Sequence, residues 1–225
     1  MEKKAFDTLG GLIEALIAKD GFKKKVLLIR HGESEGNVKD ILGCTTDWEL
    51  TQAGIEQAKG RYPMLKPYFD KIDYIKCSTQ IRSIQTCHNA LNIENHKEIK
   101  DLIEYDHKIK EYQSGTFENA YRKHGEVPRK EFLGFMHILF MGYLIPQGAE
   151  GREFGKRIRK SLNEAQEGLG LYFTHSGCIY NLTNPYIGKR YMKNCGVSAF
   201  AYNDDFDSTS EFVGYFDAGA PEPKD

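Results

Sequence analysis

The stretch LLIRHGES, residues 27–34, decides how the rest of the chain is interpreted. It begins as a continuous apolar run, the pattern of a strand that is covered on both faces. It then changes abruptly to a cation, an imidazole and a glycine at Arg30, His31 and Gly32. In parallel α/β sheets, ligands bind beyond the carboxyl ends of the strands. The stretch therefore predicts a buried strand whose end carries chemistry.

Strands alternating with helices over the rest of the chain indicate the fold class. The pattern predicts strands at KVLLIR, IDYIKCS, GLYFTH, GVSAFAYN and EFVGYF, with a short one inside EIKDLIEYDHKIKEY. It predicts helices from about Thr51, in QIRSIQTCHNAL and in EGREFGKRIRKSLNEAQEG, the first of them disturbed at Pro63. This alternation is typical of an α/β protein, here a three-layer α/β/α sandwich with a mostly parallel mixed sheet.

Composition restricts the class of protein. The 225 residues are 40% hydrophobic, which suits one large α/β domain or two small ones. A formal net charge of −1 argues against a general nucleic-acid binder. Five cysteines without a CxxC pair predict neither a disulfide framework nor a zinc ribbon, and favour a reducing cytoplasm. Since HExxH, HxxxH, clustered carboxylates and a Walker A loop are missing, we expect no metal and no cofactor.

The chain divides into a central domain with additions at both ends. Apolar residues at helical spacing, from Phe6 to Ile17, predict an amphipathic helix within residues 1–22 that packs on the domain and ends at Asp20-Gly21. Its polar face is not markedly basic, and the apolar segment 132–145 is too short to span a bilayer, so we expect no membrane association. Residues 23–216 form the domain, with a helical insertion at about 117–148, and residues 217–225 form a loose tail.

Two further residues join Arg30 and His31 in one predicted cluster. A second strand, LYFTH, ends on His175, which is followed by the small residues Ser176 and Gly177. Small residues let a ligand approach backbone N–H groups, which bind oxyanions at a helix start. Arg82 follows a third strand, in CSTQIRSIQT. Two guanidinium groups and two imidazoles around one point predict a cradle for a dianionic phosphoryl group.

Five segments resemble a known family. LLIRHGESEGN followed by GCTTDWELTQAGIEQA resembles the signature of the histidine phosphatase superfamily, the phosphoglycerate mutase-like proteins. CSTQIRSIQT is similar to its Ser-x-x-x-Arg-x-x-x-Thr segment, IKEYQSGTFE to its Glu-x-x-x-Gly-x-x-Glu segment, THSG to its second histidine box and NCGVSAFAY to the strand that follows. The matches run in family order from about residue 25 to 203, and motif matches gain force from such context.

The resemblance implies a metal-independent phosphomonoesterase that works through a phosphohistidine on His31. It implies that Arg30, Arg82 and His175 hold the phosphoryl oxygens. Glu111 is implied as the general acid and then the base, although Glu104 and Glu118 lie close in sequence and compete for that role.

The resemblance also implies a substrate-binding set around these residues. Asn37 and the backbone amide of Ser176 are implied as further hydrogen-bond donors. Ser34 and Gly43 belong to the same set, Ser34 mainly as a structural support of the first box. His137 is left open because it lies in the aromatic insertion, and the other histidines receive no role.

Residues that are typical of the family's mutases are missing from this chain, and their absence bears on the choice between a phosphatase and a mutase. Mutases of the family carry Trp where this chain has Gly36, and Arg-His-Tyr where it has residues 112–114. The sequence therefore favours a phosphatase over a cofactor-dependent phosphoglycerate mutase, and a weakly active module that binds phosphorylated partners is the third alternative. The expected substrate is a phosphorylated small molecule or a phosphoprotein, and a homodimer is left open. The apolar residues of the insertion either pack on the sheet or line the cleft.

Overall fold

A six-stranded mixed sheet forms the centre of the molecule. The computed structural model describes residues 5–39, 45–115, 137, 150 and 152–217. The strands are β1 Lys24–Arg30, β2 Ile72–Cys77, β3 Ile103–Tyr105, β4 Gly168–Thr174, β5 Val197–Tyr202 and β6 Glu211–Phe216. Their order is β3-β2-β4-β1-β5-β6. The pairs β1–β4, β2–β4 and β2–β3 are parallel, whereas β5 is antiparallel to both β1 and β6. The predicted α/β class with a mostly parallel mixed sheet is confirmed.

Within the described ranges, helices and two 3₁₀ turns accompany these strands. The helices are α1 Leu9–Ile17, α2 Glu35–Val38, α3 Gln52–Lys59, α4 Tyr62–Leu65, α5 Ile81–Leu91, α6 Lys97–Lys100, α7 Glu153–Asn163, α8 Ser176–Ile187 and α9 Phe206–Thr209. The 3₁₀ turns are Lys66–Lys71 and His107–Ile109. The helix predicted after Thr51 is divided in two, because α3 ends at Lys59 and α4 carries Pro63 in its first turn, where proline is tolerated.

Alternation along the strands builds two hydrophobic cores. In β1, Val26 and Leu28 belong to the core shared with α7 and α8, while Leu27 and Ile29 belong to the core shared with α1 and α5. All four side chains are at most 2% exposed. This burial on both faces explains why the strand has no polar position between Val26 and Ile29.

The N-terminal helix covers one side of the sheet. Thr8 caps α1 by accepting a hydrogen bond from the backbone N–H of Gly11 at 3.0 Å, and four apolar side chains from Leu9 to Leu16 are buried. The helix packs against β5 and β6 and ends at Ile17, before the predicted Asp20-Gly21. Across the described residues, no helix combines the length and the apolar character needed to cross a membrane. The insertion at 117–148, apart from His137, and residues 218–225 of the tail lie outside the described residues.

The central strands end side by side and are joined by hydrogen bonds beyond their ends. The N–H of His31 donates to the carbonyl of Thr174 at 3.0 Å, and that of Ser78 donates to the carbonyl of Phe173 at 2.9 Å. The residues that leave β1, β2 and β4 therefore start from fixed positions at one edge of the sheet.

Candidate active site

The two histidines at the strand ends lie next to each other. Their ring centroids are 5.3 Å apart with planes inclined at 56°, and both residues are buried. They meet because β1 and β4 are neighbouring parallel strands in register, with Arg30 opposite Thr174.

The first imidazole is held in one orientation from its Nδ1 side. Nδ1 of His31 lies 2.7 Å from the carbonyl oxygen of Gly32. A carbonyl only accepts, so Nδ1 carries the proton and Nε2 has the free lone pair of a nucleophile. Burial, together with the charges of Arg82 and Arg30, holds the pKa of His31 well below its usual range. The ring is therefore neutral at physiological pH, as attack on phosphorus requires.

Gly32 is required by the close approach of two backbone segments. A Cβ atom at this position would lie 2.5 Å from the carbonyl oxygen of Gly54. The N–H of Gly32 donates to Oγ1 of Thr86 at 2.9 Å. The backbone carbonyl of His31 accepts from Nδ2 of Asn194 at 3.2 Å and from the N–H of Cys195 at 3.3 Å. His31 is thus fixed through its own backbone as well as through its ring.

The second imidazole is held by two serines. Nε2 of His175 lies 2.8 Å from Oγ of Ser78 and 3.2 Å from Oγ of Ser83. Among the described residues, its buried Nδ1 has no hydrogen-bond partner. Burial and the charge of Arg82 hold the pKa of His175 well below its usual range. This ring therefore keeps one nitrogen for a ligand and one for the protein.

Two guanidinium groups complete the cradle. Nη1 of Arg30 donates to the carbonyl of Met192 at 2.6 Å, and Nη1 of Arg82 donates to the carbonyl of Thr46 at 3.0 Å. Burial lowers the pKa of Arg30 to about 10, against the opposing attraction of Glu111. Both arginines depress the pKa of both histidines. The structure thus brings the four predicted cradle residues together in one cluster.

Glu111 is the carboxylate beside this cluster. One of its oxygens accepts from the N–H of Tyr112 at 2.9 Å, and the other accepts from the N–H of Gly177 at 3.0 Å. Burial raises the pKa of Glu111, more than these two amides and the nearby arginines lower it. A carboxyl group with a raised pKa holds its proton to higher pH, which suits a general acid. Glu104, by contrast, is exposed on the edge strand β3 and lies 3.7 Å from Lys76, and Glu118 is outside the described residues.

The residues of the predicted substrate-binding set differ in exposure and in the contacts that they make. Ser34 caps α2, because its Oγ accepts from the N–H of Asn37 at 3.4 Å while its own N–H donates to Oδ1 of Asn37 at 3.2 Å. Asn37 is exposed, and its Oδ1 also accepts from Asn194 at 3.1 Å. Ser176 is the first residue of α8 and is half-buried. Gly43 lies outside the described residues. The hydroxyl of Ser34 thus supports the helix, and the contacts of this set with a substrate stay predictions.

His137 contacts Tyr180, a residue of α8. Its Nδ1 is within hydrogen-bond distance of the hydroxyl of Tyr180. The ring of Tyr180 stacks on that of Tyr191, with centroids 4.3 Å apart and planes 10° from parallel. Burial raises the pKa of Tyr191, and Glu111 lies close enough to add to that rise. Glu111 is therefore within electrostatic range of this aromatic pair.

Sequence reasoning missed several residues that hold these groups. Ser78 and Ser83 lie within CSTQIRSIQT, and Ser78 directly follows β2, so its place at a strand end was the available signal. Asn194 and Arg157 had no such signal, because their side chains reach the site from residues distant in sequence.

Comparison with known proteins decides the family. The family model described as Histidine phosphatase superfamily (branch 1) matches residues 26–208 of the chain. The chain belongs to the histidine phosphatase superfamily. The resemblance expected from the five segments is therefore confirmed, and the cradle lies within the matched residues.

Relatives of this histidine phosphatase superfamily member include mutases and phosphatases. A 2,3-bisphosphoglycerate-dependent phosphoglycerate mutase of Sinorhizobium fredii is 28% identical over 140 residues, which are 59% of this chain and 62% of that protein. A mycobacterial glucosyl-3-phosphoglycerate phosphatase matches with a TM-score of 0.66 at 18% identity, over 87% of this chain and 99% of that one. A phosphoglycerate mutase from Bacillus anthracis matches with a TM-score of 0.64 at 20% identity, over 88% and 92%. At these identities the two structures establish a common fold.

Proposed function

We propose that this superfamily member is a metal-independent phosphomonoesterase that forms a phosphohistidine on His31. The observation that carries the proposal is a buried, neutral imidazole beside two guanidinium groups and a carboxyl group of raised pKa. Over the described residues, no group of three His, Cys, Asp or Glu side chains is arranged to hold a metal ion. The cations of the cradle supply the positive charge that the phosphoryl oxygens need.

The first half-reaction transfers the phosphoryl group to the protein. Nε2 of His31 attacks phosphorus, and the bond from phosphorus to the ester oxygen breaks. Glu111 donates its proton to that leaving oxygen, so the alcohol departs neutral. Arg30, Arg82 and His175 hold the three remaining oxygens while negative charge spreads over them.

The second half-reaction returns the protein to its starting state. The carboxylate of Glu111 now accepts a proton from water, and the water oxygen attacks phosphorus. The bond from phosphorus to Nε2 of His31 breaks, which releases inorganic phosphate. His31 is neutral again and Glu111 is protonated, so the cycle is closed.

A phosphoglycerate mutase is the second candidate, and the sequence relatives favour it. One structural observation favours the phosphatase instead. A Cβ atom at Gly36 would lie 2.6 Å from Cδ1 of Trp48, so the indole occupies the space of any side chain at position 36. The tryptophan that mutases carry there has no room in this packing. A module that only binds phosphorylated partners is less favoured, because the groups needed for turnover lie together.

The aromatic pair supports a substrate class. The leaving group must lie on the side of Glu111, and Tyr191, whose pKa Glu111 helps to raise, lies within electrostatic range of that carboxylate. We therefore propose a phosphorylated small molecule or phosphoprotein whose alcohol side has an apolar or aromatic part, such as phosphotyrosine or a nucleotide. A cytoplasmic location is proposed with it, supported by free thiols at all four described cysteines.

The test compares the wild-type protein with His31→Ala. Phosphate release is measured from para-nitrophenyl phosphate, phosphoglycerates, sugar phosphates, nucleotides and a phosphotyrosine peptide, with a chelator present. Turnover by the wild type alone, with an acid-labile phosphoprotein trapped by rapid quenching, is expected. Transfer between 2- and 3-phosphoglycerate that depends on 2,3-bisphosphoglycerate, without net phosphate release, would replace the phosphatase by the mutase. No turnover of either kind would favour the binding module.

A further inference from the structure

Arg157 lies on α7, outside the cradle, and its guanidinium group reaches the loop that carries Glu111. Nη2 donates to the carbonyls of Lys110 at 3.1 Å and Glu111 at 3.3 Å. Nη1 donates to the carbonyl of His107 at 3.2 Å and also to that of Lys108. One side chain therefore holds four carbonyl groups within five consecutive residues.

The same guanidinium group binds a carboxylate that holds the other side of the loop. Nε of Arg157 donates to Oε1 of Glu150 at 2.7 Å, and Nη2 donates to Oε2 at 2.9 Å. Oε2 of Glu150 in turn accepts from the N–H of Gln113 at 2.9 Å, and the N–H of Glu150 donates to the carbonyl of Gln113 at 3.1 Å. The two side chains of the ion pair are only 18% and 12% exposed. The backbone is thus fixed before and after Glu111.

Two other side chains contact the backbone of the loop: Oε1 of Gln80 accepts from the N–H of Glu111 at 2.9 Å, and Sγ of Cys178 donates to the carbonyl of Lys110 at 3.2 Å. After the single 3₁₀ turn His107–Ile109 the loop runs without helix or strand to Gln113. Oγ1 of Thr174 holds the remaining carbonyl, that of Ile109, at 2.8 Å. The carboxyl group of Glu111 is bound by the N–H of its own neighbour, Tyr112, and by the N–H of Gly177 on α8, so its position depends on the backbone of the loop as well as on α8. A displacement of that backbone moves the proton donor away from the leaving oxygen.

We propose that Arg157, paired with Glu150, is a positioning residue for the general acid Glu111. The proposal rests on the phosphatase function proposed above. The role requires the planar fork of arginine, since its five N–H groups meet acceptors on both sides, whereas a lysine ammonium is a point charge on a flexible stem. Lysine at position 157 would keep the charge and lose the fork.

The test uses Arg157→Lys with Arg159→Lys as the matched control. Arg159 lies two residues further along α7, and its guanidinium group binds Asp207 and Asn181 instead of the acid loop. The two variants are compared on para-nitrophenyl phosphate, whose leaving group needs little protonation, and on glycerol 3-phosphate, whose leaving group needs a proton donor. For Arg157→Lys we expect kcat/KM to fall roughly 10- to 100-fold on the alkyl ester and less than about 3-fold on the aryl ester. Arg159→Lys should leave the ratio of the two values as in the wild type.

Hydrogen exchange gives a measurement that does not depend on activity. In Arg157→Lys, the amides of residues 107–113 should exchange faster while those of α5 stay unchanged. Equal losses on the two esters, or unchanged exchange at 107–113, would overturn the role of Arg157 and leave the phosphatase in place. Absence of hydrolysis by the wild type would overturn the phosphatase itself and the acid role with it.

Discussion

Replacing Thr86 by valine tests whether His31, the proposed nucleophile, depends on one buried hydroxyl. Thr86 lies on α5, is fully buried, and accepts the N–H of Gly32 at 2.9 Å. The carbonyl of Gly32 holds Nδ1 of His31 at 2.7 Å. Valine has nearly the same shape as threonine, so the substitution removes the acceptor without opening a cavity.

Thr86→Val leaves the N–H of Gly32 without its acceptor, and this loss sets the expected decrease in stability. Water does not reach this site easily, since Gly32 and Thr86 are both buried. An unsatisfied buried N–H costs roughly 1–3 kcal/mol, which is the expected loss in the free energy of unfolding. The backbone at Gly32 can then shift, and with it the carbonyl that holds the imidazole. We expect kcat to fall roughly 10- to 100-fold, as misplacement of a reacting group does.

Thr86→Ser is the control, because it keeps the hydroxyl and loses one methyl group at a cost of about 1 kcal/mol. Urea denaturation gives the free energy of unfolding, and turnover of para-nitrophenyl phosphate gives kcat. The valine variant should lose activity and stability, whereas the serine variant should lose only stability. Wild-type kcat in Thr86→Val, or equal kcat losses in the two variants, would refute the reasoning.

Three further predictions concern the acid, the indole and the core. Glu111→Gln should lower kcat/KM for an alkyl phosphate roughly 10²- to 10⁴-fold. In the proposed mechanism the acid acts in its protonated form and its pKa is raised, so kcat/KM of the wild type should decline only as pH rises through that raised pKa. A pH–rate profile of the variant that keeps this decline would contradict the role of Glu111. Gly36→Ala should lower the melting temperature, because its Cβ would lie 2.6 Å from the indole of Trp48, and the loss should shrink when Trp48→Ala is added; a higher melting temperature for Gly36→Ala would be the contrary result. Leu27→Ala should cost about 2–5 kcal/mol in the free energy of unfolding, since this side chain is 1% exposed, and a loss below that range in urea denaturation would show that the core collapses around it.

The cradle was the part of the site most open to prediction from sequence. Arg30, His31 and His175 directly follow or end strands, and the carboxyl ends of parallel strands meet at one edge whatever the loops do. The fold class could also be predicted, because strands that alternate with helices are typical of an α/β protein. Glu111 has no such marker, because it lies in a loop after a single 3₁₀ turn, and only the family resemblance distinguished it from Glu104.

The supporting contacts could not be read from the sequence. The hydrogen bond from Asn194 to the carbonyl of His31 joins residues 163 positions apart, and no periodicity encodes it. Ser83 adjoins Arg82 in sequence, yet only the direction in which α5 presents its side chains brings it to His175. Such contacts depend on how helices pack across the end of the sheet, which local pattern does not specify.

The strand order has a consequence for how the protein loses its structure on heating. β1 is paired along its length with β4 on one side and β5 on the other, and two strands of the sheet lie on its β5 side and three on its β4 side. The segment of Glu111 is attached mainly by side chains, and such segments open at lower free energy than paired central strands. The segment of Glu111, the proposed proton donor, should therefore unfold at a lower temperature than the strand that leads to His31, the proposed nucleophile. In a range of temperatures below global unfolding, the proposed phosphatase would then have lower activity but would still accept a phosphoryl group from activated esters.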